Sequence, residues 1–249
     1  MTVPSHAIQS SKQAVRERVW DLLQARSAVR DPDVHGRIPD FIGSTEAAEQ
    51  LASVPAWKAA QVVKAVPDKA QLPVRARALS DGKLVYMAVP KLAELRPFYL
   101  LDPESLTRPP DEAASSRVAA TDAPKVSISE LRPIDLVVCG SVAVNRRGQR
   151  IGKGAGYSDL EVALLHDAGL LGPHTVIATT VHPLQVLDEP LPTTDHDFEV
   201  NLIATPDEII HCSPSQRRTG ILWDHLPAEY IKTIPVLGSL SPRGISTEH

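Results

Sequence analysis

The residues with the types and spacing to do chemistry are concentrated at positions 150–159, Arg-Ile-Gly-Lys-Gly-Ala-Gly-Tyr-Ser-Asp. Gly152, Gly154 and Gly156 alternate with other residues, a spacing that lets successive backbone N–H groups turn toward one anion. Arg150 and Lys153 flank them with positive charge, and Ser158-Asp159-Leu160-Glu161 opens an apolar-periodic run reaching Leu171. That run reads as a helix, so an anion held by the glycines also feels a helix N-terminus. This is the chemistry of a nucleotide phosphate site. The spacing matches neither the dinucleotide fingerprint nor the P-loop, and a glycine-rich surface turn with solvated charges is the competing reading.

Such residues need elements to hold them. Upstream, the segment 134–139, IDLVVC, is a short apolar, β-branched run of the kind that makes a buried parallel strand; Gly140 and the polar turn Asn145-Arg146-Arg147-Gly148 follow it. Strand, turn, glycine cradle and helix in that order belong at the carboxyl edge of an open α/β sheet, where ligands bind. Near the start of the chain, Ser10 or Ser11 caps an expected helix running to about Arg26, with Val15, Val19, Leu22 and Leu23 on one face. Lys12 and Arg16 lie one turn apart on it and point the same way, toward a ligand or into solvent. Thr194-Asp195-His196-Asp197 precedes an expected alternating strand over 198–204. Carboxylates at such a junction commonly hold Mg²⁺ beside a nucleotide, while His196 serves equally well as a cap or a packing residue.

A chain of 249 residues with 22 prolines can bury one substantial core. One domain over 1–249 is therefore expected, with its core at about 10–212, a C-terminal arm over 213–249 and a flexible loop over 102–124. The net charge of −4 argues against a global electrostatic attraction to nucleic acid or anionic membrane. The Arg217-Arg218 pair is too small a basic cluster to change that. No apolar run approaches the roughly 18 residues of a membrane span, and no signal peptide is evident. The expectation is a cytoplasmic monomer or homodimer acting on a small molecule, without nucleic-acid or membrane partners. Cys139 and Cys212 lie outside any C-x-x-C pattern and read as reduced core thiols without zinc.

Elsewhere, residues 31–43 read as a loop, 44–53 as a helix capped by Ser44 or Thr45, and Pro55 as the first turn of another helix. A strand is expected over 62–66, and a hairpin of 74–79 with 84–89 across Asp81-Gly82. Further strands are expected at 98–101, 175–181 and 208–211. Residues 102–124 lack periodicity and form either a flap over the site or a spacer. The tail from Ser215 reads as a helix and an extended arm packed on the domain. Phe41 and Trp57 are core or stacking residues.

Three stretches together carry a resemblance: GSVAVNRRGQRIGKGAGYSDLE over 140–161, TTDHDFEVNLIATP over 193–206, and the pair Lys12-x-x-x-Arg16. They resemble the 5-formyltetrahydrofolate cyclo-ligase family, or methenyltetrahydrofolate synthetases. The likeness is to a divergent branch, the methenyltetrahydrofolate synthase domain-containing proteins, to which the Arg37-Ile38-Pro39-Asp40-Phe41 insert also belongs, and it covers most of 10–212. The resemblance implies an α/β fold: an open, mostly parallel sheet between helices in three layers, with an N-terminal helix and a C-terminal helical arm. It implies ATP and Mg²⁺ as cofactors. The terminal phosphoryl group passes to the formyl oxygen of 5-formyltetrahydrofolate, N10 closes the ring, and 5,10-methenyltetrahydrofolate, ADP and phosphate form. By the same resemblance Arg150, Lys153 and Tyr157 are catalytic, with Tyr157 beside the folate. Lys12, Arg16, Gly152, Gly154, Ala155, Gly156, Tyr157 and Ser158 bind the nucleotide, and Asp159 and Asp197 hold the metal.

The departures from the family pattern lie on the substrate side. Ser158 replaces a second tyrosine, Val144 a phenylalanine with Asn145 after it, Ala155 a lysine, and Gln71 the glutamate that meets the pterin. They leave open an ATP-dependent ligase of this fold acting on another carbonyl or carboxylate compound, or a nucleotide-binding module without chemistry.

Overall fold

The structure is a computed structural model and describes residues 6–213, 220–226 and 228–240. Eleven strands are present among these residues. They are β1 (Val62–Ala65), β2 (Leu84–Ala88), β3 (Phe98–Leu101), β4 (Lys125–Val126), β5 (Ile134–Cys139), β6 (Ala143–Asn145), β7 (Arg150–Ile151), β8 (Leu171–Thr180), β9 (Val186–Leu187), β10 (Leu202–Ala204) and β11 (Ile209–His211). Eight of them form one sheet in the order β11-β10-β8-β5-β1-β2-β3-β4, and β7-β6-β9 form a small second sheet. The inner five strands of the large sheet, β10 to β2, run parallel, and the outer pairs are antiparallel.

The parallel interior follows from composition. In β5 every side chain but Asp135 is buried, as a strand covered on both faces requires. Asp135 instead accepts the N–H groups of Gln61 at 2.8 Å and Val62 at 2.9 Å, anchoring the entry to β1. Nine α-helices lie among the described residues: α1 (His6–Ala25), α2 (Ser44–Ser53), α3 (Pro55–Ala59), α4 (Leu72–Ser80), α5 (Pro110–Ala113), α6 (Ser116–Asp122), α7 (Tyr157–Asp167), α8 (Ala228–Thr233) and α9 (Pro235–Leu240). Side chains alternate along each strand, so one sheet face packs on α7 and α9 through Leu160, Leu164, Val236 and Leu237. The other packs on α2, α4 and α5 through Leu51, Val74, Ala78 and Ala113. Helix α1 lies against the small sheet through Val15, Val19 and Leu23 beside Ala143 and Ile151.

Several expectations are corrected. Residues 74–79 belong to helix α4, not to a hairpin, and β2 pairs parallel with β1 in the register Val62↔Leu84. Pro73 sits in the first turn, and the buried Val74, Arg75, Ala78 and Leu79 share one helical face, so the apparent alternation was half of a 3.6-residue pattern. Helix α1 begins at His6, before the expected serine caps, and the Ser11 hydroxyl donates to the Ala7 carbonyl inside it. Gly43, not Ser44 or Thr45, occupies the cap of α2, and the Ser44 hydroxyl accepts from Arg30. Helix α7 stops at Asp167, and Leu171 already belongs to β8.

The strand expected over 198–204 begins only at Leu202, because Val200 N–H is spent on the Gly148 carbonyl of the β6–β7 turn at 2.8 Å. Residues 102–124 carry α5 and α6, with Ala113, Ala114 and Ala119 buried. Phe41 and Trp57 are core residues, 0% and 1% exposed. Arg217-Arg218 lie outside the described residues.

Cys139 and Cys212 are free. Burial pushes the Cys212 thiol up to about 11 from an ordinary 9.0, and the neighbouring Glu199 adds to the shift. Thiolate is the reactive form, so alkylation of the folded chain near pH 8 is expected about a hundredfold slower than for a free thiol. Labelling at the unfolded rate would contradict this burial.

Candidate functional site

The large sheet ends in a cleft of about 880 Å³, within the range of roughly 300–1,000 Å³ common for small-molecule sites. Its floor is the carboxyl edge of two parallel strands. Val66, Pro67 and Asp68 follow β1, and Val89, Pro90 and Lys91 follow β2. The β6–β7 hairpin brings in Arg150, and the chain then runs through 152–156 into α7. Helix α1 leans over from the small sheet with Lys12 and Arg16, and the loop before β10 adds Thr194, His196 and Asp197. Thus Lys12, Arg16, Arg150, Gly152, Lys153, Gly154, Ala155, Gly156, Tyr157, Ser158, Asp159 and Asp197 all line one cleft, although they come from three separate parts of the chain.

Their contacts alternate in charge. Lys12 Nζ lies 2.5 Å from Asp197 Oδ2, which also accepts the Thr194 N–H at 2.6 Å. Arg16 Nε donates to the Gly152 carbonyl at 2.7 Å. Arg150, its side chain 2% exposed, donates to Asp159 Oδ1 at 2.9 Å and to the Gly140 carbonyl at 3.3 Å. Its guanidinium carbon stands 4.3 Å from the Phe198 ring centroid, a cation–π arrangement that fills the space under it. Lys153 reaches across to Asp68 at 3.0 Å.

Burial opposes the charge of Arg150, and Asp159, Cys139 and Asp197 outweigh it, so its pKa is raised. Burial lowers the pKa of Arg16, against the pull of Asp197 and Asp159. For Asp159 burial raises the pKa, Arg150 opposes it, Asp197 adds to it and Lys12 opposes it again.

The cradle fits an anion. Among the described residues, the backbone N–H groups of Gly152 through Tyr157 donate to no acceptor within the chain. Gly154 at φ 103° and Gly156 at φ 71° hold left-handed backbone that other residues rarely adopt, and a Cβ on Gly154 would stand 3.3 Å from the Arg16 guanidinium carbon. The Nε of buried Arg150 has no hydrogen-bond partner, leaving a cationic donor unspent beside the cradle. The donor set also fits Mg²⁺. Among the described residues no group of three or more His, Cys, Asp or Glu side chains is arranged for a metal. Asp197 lies near enough to Asp159 to add to the rise in its pKa, and Mg²⁺ commonly takes one or two carboxylates, with phosphate oxygens and waters completing its shell.

Other parts of the site were not anticipated. The C-terminal arm supplies a whole wall, with Ile221, Leu222, Asp224, His225, Leu226 and Tyr230 lining the cleft. His225 meets His196 with ring centroids 5.1 Å apart, and burial, followed by His225, lowers the His196 pKa. Lys91 lines the opposite side in left-handed backbone at φ 61°, a conformation no composition signal marks. Arg75, 1% exposed, donates to the carbonyls of Val66, Asp68 and Ala114, tying the cleft loop after β1 to the helical segment after β3. Burial brings the Arg75 pKa down to about 10.

Residues 102–124 do not line the cleft, and Gln71 and Val144 do not either. Val144 is in the core, and Gln71 is fully buried with its amide donating to Thr180. No helix among the described residues is long and apolar enough to cross a membrane.

Comparison with known proteins gives these features a family. Residues 8–206 match the 5-formyltetrahydrofolate cyclo-ligase family. The chain is 35% identical to the mouse methenyltetrahydrofolate synthase domain-containing protein over 237 residues, 94% of this chain and 64% of that protein. It is 33% identical to the human protein of the same name over 241 residues, 95% of this chain and 63% of that one. The chain thus spans less than two thirds of the length of these relatives. The NMR structure of Aquifex aeolicus 5,10-methenyltetrahydrofolate synthetase superposes with a TM-score of 0.52 at 16% identity, covering 83% of this chain and 95% of that one, a likeness of fold. With the match running from α1 through the glycine cradle to the end of β10, the chain belongs to the 5-formyltetrahydrofolate cyclo-ligase family.

Proposed function

We propose that the chain is an ATP-dependent ligase that closes 5-formyltetrahydrofolate to 5,10-methenyltetrahydrofolate. The observation carrying this reading is the run of unspent N–H groups from Gly152 to Tyr157, ringed by Lys12, Arg16, Arg150 and Lys153. Such a set stabilises charge on a transferring phosphoryl group by position alone, without covalent participation. Arg16 and Lys12 hold the outer phosphate oxygens, while Arg150 and Lys153 face the oxygen that gains charge as the formyl group accepts the phosphoryl. Asp159 and Asp197 would hold Mg²⁺, which neutralises charge on the phosphates when bound. Tyr157 offers a ring face at the head of α7 for a planar substrate. N10 then attacks the activated carbon and loses its proton, and phosphate departs with the former formyl oxygen.

A second reading is an ATP-dependent ligase of this fold acting on another carbonyl or carboxylate compound. Gln71 favours it: the residue in place of a pterin-binding carboxylate is 0% exposed and absent from the cleft wall. Purified protein with Mg·ATP and 5-formyltetrahydrofolate is expected to develop methenyl absorbance together with phosphate. Phosphate release driven only by a different carbonyl or carboxylate substrate would replace the first reading with the second. Binding of Mg·ATP without any turnover across a metabolite panel would leave a non-catalytic nucleotide module, and no binding at all would refute each of these.

A further inference from the structure

Among the described residues the C-terminal arm makes one hydrogen bond to the glycine cradle. Half-buried Tyr230 on α8 donates from its hydroxyl to the Ala155 carbonyl oxygen at 3.2 Å, with its ring centroid 6.2 Å from that of Tyr157. This bond holds the peptide between Ala155 and Gly156. A trans peptide is planar, with C=O and N–H pointing oppositely, so whatever fixes the Ala155 carbonyl also fixes the Gly156 N–H. Among the described residues no other hydrogen bond restrains that peptide by its N–H. Gly156 bounds this peptide on one side, and glycine accepts both signs of φ at similar cost, so rotation of the peptide plane meets little steric resistance there. The Tyr230 hydroxyl also lies 4.0 Å from where a Cβ on Gly156 would be, so it borders both ends of the peptide.

We propose that Tyr230 is a positioning residue of this site: its hydroxyl locks the Ala155–Gly156 peptide so that the Gly156 N–H stays directed and available to an anionic phosphate ligand. The proposal rests on the phosphate-binding reading of the cradle and adds to it a residue beyond the family match at 8–206. It makes the arm part of the working site and not merely its cover.

Tyr230→Phe removes one oxygen and keeps the ring. Labelling with carbonyl-¹³C alanine and ¹⁵N glycine isolates the two Ala-Gly peptides of the full chain, 155–156 and 168–169, the second serving as an internal control. In ligand-free Y230F the 155–156 resonance is expected to shift or broaden while 168–169 stays in place. An unmoved 155–156 resonance overturns the proposal. Titrated with Mg·ATP, and separately with inorganic tripolyphosphate, Y230F is expected to bind about two- to tenfold more weakly than the parent at an unchanged melting temperature. Equal affinities overturn the proposal while leaving the phosphate reading intact. If the parent protein binds neither probe, the phosphate reading fails, and the ligand-free resonance decides alone whether Tyr230 holds the peptide.

Discussion

Replacing Arg150 by methionine is expected to lower the free energy of unfolding at pH 7 by about 3 kcal/mol, the lower end for removing one partner of a buried ion pair. The same change is expected to abolish nucleotide-dependent turnover. Arg150 holds Asp159, the Gly140 carbonyl and the Phe198 ring at once, and its side chain is 2% exposed while that of Asp159 is 21% exposed. Methionine fills much of the volume but leaves the Asp159 carboxylate without its cation.

The cost should then depend on pH in a definite direction. Burial already raises the Asp159 pKa above its ordinary 3.8, and loss of the opposing Arg150 charge raises it further. A folded state that holds its proton more tightly than the unfolded chain is penalised as pH rises from 3.8 through the raised value, and the penalty is constant above it. Denaturation of R150M is therefore expected to approach the parent as pH is lowered into that window. A deficit that stays flat there would show that Asp159 is not the stranded group. Arg150→Lys keeps the charge but loses the planar fork, so an intermediate stability with turnover still strongly reduced is expected.

A second large effect lies beneath the cleft. Lys64 of β1 and Glu161 of α7 form an ion pair with side chains 1% and 6% exposed. Lys64 points to the α7 face of the sheet, as its place between Val63 and Ala65 of the opposite face requires. Lys64→Met leaves Glu161 buried without its cation, and a loss of about 3–5 kcal/mol is expected in chemical denaturation. The double variant Lys64→Met/Glu161→Leu removes both charges and is expected to recover most of that loss, since apolar replacement of a whole buried pair is often neutral or stabilising. Non-recovery, or a single variant costing under about 1 kcal/mol, would contradict a desolvated pair. Because Glu161 also borders the cleft, Mg·ATP titration of the double variant separates a strut from a binding group. Unchanged affinity means the pair only supports the floor.

Much of the site could be read from short stretches because its chemistry is local. Alternating glycines, a following helix start and flanking cations mark a candidate anion cradle within a dozen residues, and the strand 134–139 put that turn at a sheet edge, where the structure has it lining the cleft. Lys12 and Arg16 were recognisable as a pair from helical spacing alone. Their convergence with Asp197 at 2.5 Å from Lys12 depends on how α1 packs against the small sheet. Where local patterns are ambiguous the reading failed. Val74, Ala76 and Ala78 alternate like a strand, yet Pro73 and burial of Arg75 and Leu79 make α4 a helix. Residues 102–124 have little apolar periodicity because alanines, not large side chains, form the buried face of α5 and α6.

What the sequence determined by itself was the family, the α/β class and the glycine-rich turn with its flanking charges, since each depends on residues adjacent in the chain or one helical turn apart. The tertiary structure alone decided which charges face each other, that Arg75 ties the cleft loop to the segment after β3, and that the C-terminal arm lines the cleft with Tyr230. Those outcomes depend on packing between elements well separated in the chain, as Arg75 is from Ala114 and Lys12 from Asp197, and a hydrogen bond such as that from Tyr230 to Ala155 has no signature in the spacing of either residue.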